Sequence, residues 1–329
     1  MGKAVAFTDI LAAANRLAPH IRRTPVETSL ALTERVGHPV HLKLEHHQIT
    51  GSFKLRGATN AVLGLPEKER KRGVSAASTG NHGRAVSHAA KATGTRAIIC
   101  MSSLVPANKV EAIAALGAEA RIVGKSQDDA QVEVDRLVAE EGFNNIPPFD
   151  HPDVIAGQGT IGLEFMAALP DLDAILVPLS GGGLISGIAL AVKTMSPKTR
   201  VVGVSMERGA AMVACLAAGH PVDVEEVATL ADSLGGGIGL DNRLTFNMVR
   251  DLVDETILVS ESEIAEAVRF AYEFEREVLE GGAAVGIAAL MSGKFEPRGP
   301  TGLVLTGRNI DTRVHREIIC GTHPAFEEA

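Results

Sequence analysis

The sequence predicts an α/β protein with mostly parallel sheets covered on both faces. Two observations predict it: short β-rich runs alternate with longer segments of helical periodicity, and glycines or small polar residues mark the joins. With 329 residues and 45% hydrophobic content, the chain can bury one large core or two moderate ones.

The clearest strands are "VHLKL" (40–44), "GVSAAS" (73–78), "RAIICM" (96–101), "EARIVG" (119–124), "DAILVPL" (173–179), "RVVGVSM" (200–206), "ETILVS" (255–260) and "GLVLT" (302–306). Helical patterns fill most gaps. In "VPANKVEAIAALGAE", Pro106 stands near a helix start, Val110, Ile113, Ala114 and Leu116 share one side, and Gly117 is the stop. "NNIPPFDHPD" (144–153), with three prolines, reads as a crossing between two α/β units.

Composition narrows the function. A net charge of −8, one tyrosine, no tryptophan and no dense basic run argue against a nucleic-acid surface, so the expected partner is a small molecule. Cys100, Cys215 and Cys320 show no CxxC or Cys/His spacing, which indicates neither disulfides nor structural zinc and suggests three buried small hydrophobes. The most apolar run, "AAVGIAAL" (283–290), is too short to span a bilayer, and the N-terminus lacks a basic region followed by a long apolar run. A cytoplasmic protein with no membrane partner is expected.

Three polar loops each follow an expected strand and precede an expected helix: "STGNHG" (78–83), "SGGGLISG" (180–187) and "TGRN" (306–309). Ligands bind at such places in parallel sheets. Gly181, Gly182 and Gly183 leave the backbone approachable, and a helix beginning near Leu184 would aim N–H groups at an anion such as phosphate. A glycine-rich turn chosen only for its backbone angles has the same appearance. A dinucleotide site is a further reading: Gly181, Gly183 and Gly187 are spaced one residue too long for GxGxxG, yet Glu207 ends the next strand where a ribose-binding acid belongs.

"GSFKLRG" (51–57) favours a different cofactor. If Ser52 caps a helix, Lys54 lies in its first turn, where the dipole disfavours positive charge, and Phe53 and Leu55 add apolar surface. Both effects lower the amine's pKa and suit a nucleophile that forms a Schiff base with an aldehyde, although a surface lysine can also snorkel past apolar neighbours. An aldehyde plus a phosphate describes pyridoxal 5'-phosphate.

"SFKLRG", "STGNHG", "SGGGLISG", "LEGGAAVG" and "TGRNID" resemble, in order and spacing, the serine/threonine dehydratase and serine racemase family of fold-type II pyridoxal-phosphate enzymes, over nearly the whole chain. The resemblance implies a tryptophan synthase β-like fold of two parallel-sheet α/β domains: a large domain from 1–68 and 148–329, a small mobile domain from 69–147, and the cofactor in the cleft between them. It implies that Lys54 binds the cofactor aldehyde and later takes the substrate Cα proton. Phe53 would pack near the pyridine ring, and Asn81 would bond the 3′-oxygen. Ser180, Gly181, Gly182, Gly183 and Leu184 would hold the phosphate, and Thr306 would meet the pyridine nitrogen. Ser78, Thr79, Gly80, Asn81 and His82 would receive the substrate carboxylate. Thr79 also stands where the racemases carry a second proton-transfer serine. Its methyl restricts the rotamer and favours elimination over racemisation.

Departures from the family's pattern matter as well. Ser180 replaces a common glycine, and Ser205 and Ala211 stand where the family often has a Glu and an Asp for a divalent cation, with Glu207 offset by two, so no metal is expected. Glu280 matches a family acid near the active site, although a plain helix-start carboxylate would look the same. Arg308, in "TGRN" where "SGGN" is common, either reaches a second substrate group or makes a structural or interface salt bridge.

The expected function is β-elimination by an ammonia-lyase on a hydroxy amino acid, from a homodimer or higher homo-oligomer. "DSLGGGIGLDNRLTF" (232–246) and "TGRNI" look most like the hydroxyectoine-utilisation dehydratase branch, with L-threonine, L-serine and 3-hydroxyaspartate as alternative substrates. An NAD-dependent oxidoreductase and a non-catalytic ligand-binding module are the readings from other classes.

Overall fold

The computed structural model describes residues 4–78, 80–105 and 107–327. Ten strands lie in two sheets: β1 (Val26–Ser29), β2 (Val40–Lys43), β3 (Val74–Ala77), β4 (Ala97–Met101), β5 (Glu119–Ile122), β6 (Asn144–Asn145), β7 (Ala174–Pro178), β8 (Arg200–Met206), β9 (Glu255–Val259) and β10 (Thr301–Val304). The larger sheet has the order β1-β2-β10-β7-β8-β9 and the smaller the order β5-β4-β3-β6. Every pairing is parallel except β1 with β2. The interior strands β3, β4, β7 and β10 are buried along their whole length, as helices on both faces require.

All eight expected strands form. Two escape the sequence pattern. β1 is a mixed-polarity antiparallel edge with no apolar run to reveal it, and β6 is a two-residue edge formed by the start of the expected crossing. In the helix Ala107–Ala115, Ile113 is buried but Ala114 is exposed, which corrects its placement on the packed side. Pro106 lies outside the described residues. Cys100 and Cys215 are buried, whereas Cys320 is exposed, because it falls at the end of the helix Thr312–Ile319. No helix among the described residues is long and apolar enough to cross a membrane.

Strand order places the chemistry. β10 lies between β2 and β7 and runs parallel to both, so the segments leaving the C-terminal ends of these strands converge. "GSFK" follows β2, "TGRN" follows β10 and "SGGG" follows β7. Ser52 pairs with Gly307 in an isolated bridge, and the Phe53 N–H donates to the Thr306 carbonyl at 3.0 Å.

Candidate active site

Lys54 begins the helix Lys54–Gly64, but Ser52 does not cap it. Phe53 is the capping residue, without a side-chain bond, and the buried Ser52 hydroxyl has no partner because Ser52 is held in the bridge to Gly307. The expected position of Lys54 in the first turn therefore arises without the expected cap. Its Nζ donates to the Pro148 carbonyl at 2.9 Å and lies 5.3 Å from the centre of the Phe53 ring. Burial pulls the amine's pKa down to about 8, against the opposing pull of the Glu280 carboxylate.

The foundation of this helix is a buried charge network. Arg56 donates to both oxygens of Glu45 at 2.8 Å and to Glu164 Oε1 at 2.7 Å, and Lys43 donates to Glu164 Oε2 at 2.6 Å. Two cations face two carboxylates, so the burial of Arg56 is compensated. The network fixes the first turn, and Lys54 with it.

The glycine loop opens the helix Gly183–Met195. Gly182 adopts φ +85°, which favours glycine, and no side chain caps the helix, so the first-turn N–H groups remain available. A Cβ on Gly181 would fall 2.3 Å from the Phe149 ring. Leu184 is buried and Ser180 half-buried. This is an open donor set at the positive end of a 13-residue helix, suited to an anion.

Asn81 and His82 begin the helix Asn81–Ala92 after β3. The Ser78 hydroxyl accepts from the N–H groups of Gly83 at 3.0 Å and Gly80 at 3.4 Å. Asn81 Nδ2 donates to Glu280 Oε1 at 2.7 Å. His82 is buried, and its Nε2 bonds the Ile146 carbonyl at 2.7 Å. Burial, with the nearby Lys54 charge, lowers its pKa to about 3, so the ring is neutral and its Nδ1 is left without a partner. Thr79 lies outside the described residues.

Glu280 gathers the site. It is buried, accepts from Asn81 and from the Asn309 N–H at 3.0 Å, and blocks any side chain at Gly307, where a Cβ would lie 2.5 Å from Oε1. Burial and the neighbouring Asp232 push its carboxyl up to about 7, although Asn309, Ser233 and Asn81 bond it. Thr306 is buried beside this turn. Arg308 is exposed, with its backbone N–H donating to Gly51 O at 3.0 Å, and it does not line the depression beyond Glu280 and Asn309. Lys109, Arg208, Asp232 and His323 line that depression instead.

Pro148, Phe149 and Asp150 give the "NNIPPFDHPD" stretch a role that sequence reasoning missed. Pro148 receives Lys54, Phe149 packs on the glycine loop, and the Asp150 carboxylate accepts from the N–H groups of Arg243, Leu244 and Thr245 at 2.8–2.9 Å. Isolated residues in a proline-rich run carry no signal for any of these contacts. Glu207, half-exposed, pairs with Lys294 at 3.0 Å, and Ser205 is buried two residues before it.

A low-pKa amine, an anion cradle and unpartnered buried polar atoms at Ser52, His82 and Ser186 fit a cofactor with an aldehyde and a phosphate. Comparison with known proteins agrees. Residues 17–307 match the family described as "Pyridoxal-phosphate dependent enzyme". A Sinorhizobium fredii protein named "Putative threonine dehydratase" is 62% identical over 96% of each chain. The L-threo-3-hydroxyaspartate ammonia-lyase of Saccharomyces cerevisiae is 38% identical over 96% of each. The structure of maize serine racemase superposes with a TM-score of 0.91 at 34% identity, covering 97% of this chain and 98% of that one.

Proposed function

The chain belongs to the pyridoxal-phosphate-dependent enzyme family, and on that premise we propose that it is an ammonia-lyase acting on a β-hydroxy amino acid. The observation that supports this most strongly is the Lys54 amine, lowered to a pKa of about 8 by burial and bonded to the Pro148 carbonyl, with the Glu280 charge acting on it. When bound, pyridoxal phosphate supplies an electron sink that weakens the bond between Cα and its proton. Lys54 would hold the cofactor in the resting enzyme and, once freed by the substrate amine, take the Cα proton on Nζ. Glu280 would stabilise the ammonium so formed. The N–H groups of Gly183 and Leu184 would bind the phosphate beside Ser180, Gly181 and Gly182. Phe53 would lie beside the ring, Asn81 would keep its second amide hydrogen for the 3′-oxygen, and the neutral Thr306 hydroxyl would face the ring nitrogen. Ser78 to His82 would receive the α-carboxylate. Departure of the β-hydroxyl with a proton as water, and addition of one water to the resulting enamine, would yield a keto acid and ammonium.

The small unit, 69–147, would close over the large one and exclude water. Two contacts across the cleft support closure: Asn81 with Glu280, and Lys109 with Asp232 at 3.9 Å. Homo-oligomer formation is supported by exposed Leu30 and Phe274, whose segments are joined by a Ser29–Glu275 bond.

For the substrate we favour a hydroxyectoine-derived hydroxylated diamino acid. The "DSLGGGIGLDNRLTF" stretch packs on the Glu280 turn, where a Cβ on Gly282 would meet Ser233 Oγ at 2.3 Å, and Asp232 lines the depression beyond it. That depression offers room and charge for a group larger than the methyl of threonine. Relatives named for L-threonine and for L-threo-3-hydroxyaspartate support those two amino acids as the alternative, with L-serine as the smaller analogue of threonine. The test is keto-acid formation from each of these four substrate types. The highest kcat/KM on the diamino acid is expected. A maximum on L-threonine would overturn the narrower choice, and no keto acid from any of them would overturn the lyase.

A further inference from the structure

Outside the catalytic cleft, three metal-ligating side chains converge. His46 and His47 occupy the short turn Glu45–His47 after β2, and Glu277 follows the helical segment Ala271–Glu275. His46 Nε2 lies 2.8 Å and His47 Nε2 2.9 Å from the same oxygen, Glu277 Oε2, and all three atoms fall within 4.8 Å of one another. The His46 side chain is fully buried, whereas His47 and Glu277 remain 34% and 19% exposed, which leaves a path from solvent.

Hydrogen bonding alone serves this arrangement poorly. His46 presents Nε2 to a carboxylate and Nδ1 to the Leu305 carbonyl at 3.4 Å, and both of those groups are acceptors. A neutral imidazole has only one N–H, so one of its nitrogens would turn a lone pair towards an oxygen. A cation on Nε2 removes the conflict: the lone pair binds the metal, and Nδ1–H donates to the carbonyl, the orientation that metal-bound histidines adopt. An imidazolium would also remove it, so a test must separate a metal from a proton.

We propose that His46, His47 and Glu277 form a binding site for a divalent transition-metal cation of the zinc class, with an open position facing solvent. Two imidazoles and one carboxylate suit Zn²⁺, which binds such atoms at about 2.0–2.2 Å and places tetrahedral ligands about 3.3 Å apart. The two contacts to Glu277 would open by about half an ångström, and the partly exposed His47 and Glu277 can move to bring the two imidazole nitrogens to the same spacing. Metal binding there would bear on the neighbouring active-site turn. His46 is tied through Leu305 to the strand end that delivers Thr306, and Glu277 lies three residues before Glu280, whose N–H bonds the Gly307 carbonyl at 3.1 Å. It is separate from the Glu207 corner, which Lys294 occupies.

The test uses the holoenzyme, freed of excess cofactor and dialysed against a chelator. Zn²⁺ titration by calorimetry is expected to show one saturable site per chain with micromolar or tighter affinity. Co²⁺ is expected to give the visible d–d bands of a low-symmetry nitrogen–oxygen site. Glu277→Gln and His47→Asn should each weaken binding at least tenfold, with folding checked by thermal melting. His47→Asn removes a partly exposed ring and keeps the test informative if Glu277→Gln fails to fold. No saturable binding up to millimolar Zn²⁺, absence of the Co²⁺ bands, or equal affinity in wild type and His47→Asn would overturn the proposal and leave a proton as the occupant.

Discussion

Asn81 and Glu280 join the two sheets at the candidate active site: Asn81 Nδ2 donates to Glu280 Oε1 at 2.7 Å, while Asn81 Oδ1 accepts from Asn309 Nδ2 at 2.5 Å. The contact places a carboxyl with a pKa near 7 against the helix that begins the carboxylate loop.

The first prediction follows from that carboxyl. In the folded apoprotein its pKa lies above the ordinary 4.5, so the stability it contributes is complete below pH 4.5 and is lost as pH rises through about 7. The loss approaches about 3 kcal/mol. Glu280→Gln cannot ionise and should become progressively more stable than wild type between pH 5 and pH 8, about 3 kcal/mol at the upper end. Thermal melts of both apoproteins check this, and parallel curves would contradict it.

Much of the site was legible because its chemistry sits in contiguous motifs at the ends of apolar strands. Lys54, Gly181 and Thr306 each belong to such a loop, and the order β2-β10-β7 brings those loops together. Long-range contacts were not legible. Nothing in sequence foretells that Pro148 accepts from Lys54 or that Phe149 backs the glycine loop, because the residues are separated in the chain and linked only by packing. The helix cap failed for a related reason. A serine before a helix reads as a cap, but the bridge to Gly307 claims Ser52 for a tertiary contact.

The second prediction concerns the cradle. Gly181→Ala would drive a methyl to within 2.3 Å of the Phe149 ring, and a rigid aromatic packed on the loop cannot yield as a flexible side-chain end can. Cofactor affinity should fall at least about tenfold, measured by visible absorbance as apoprotein is reconstituted. Unchanged affinity would mean that the loop does not hold the phosphate.

A third prediction tests the network under the lysine. Glu45→Gln removes one charge from a buried set and leaves the Arg56 guanidinium undercompensated, which should cost about 3–5 kcal/mol in denaturant unfolding. A loss below about 1 kcal/mol would show that Glu164 alone satisfies Arg56.

The fourth prediction concerns Arg308. Because it is exposed, Arg308→Gly should change stability by less than about 0.5 kcal/mol. If its guanidinium turns inward to an acyl or anionic group of a larger substrate, kcat/KM on an acylated diamino acid should drop about ten- to a hundredfold while L-threonine turnover is nearly unchanged. Equal losses on both substrates would mean that Arg308 supports the cofactor-binding turn structurally and does not read the substrate.

The most direct measurement is borohydride reduction of the cofactor-loaded protein followed by peptide mass mapping, on wild type and on Lys54→Ala. The wild type should be yellow, bleach on reduction and carry the reduced cofactor on the peptide containing Lys54. Lys54→Ala should melt as wild-type apoprotein does, yet carry no adduct and form no keto acid. An adduct on a different lysine, or elimination activity retained in Lys54→Ala, would contradict the placement of the chemistry at the start of the Lys54–Gly64 helix.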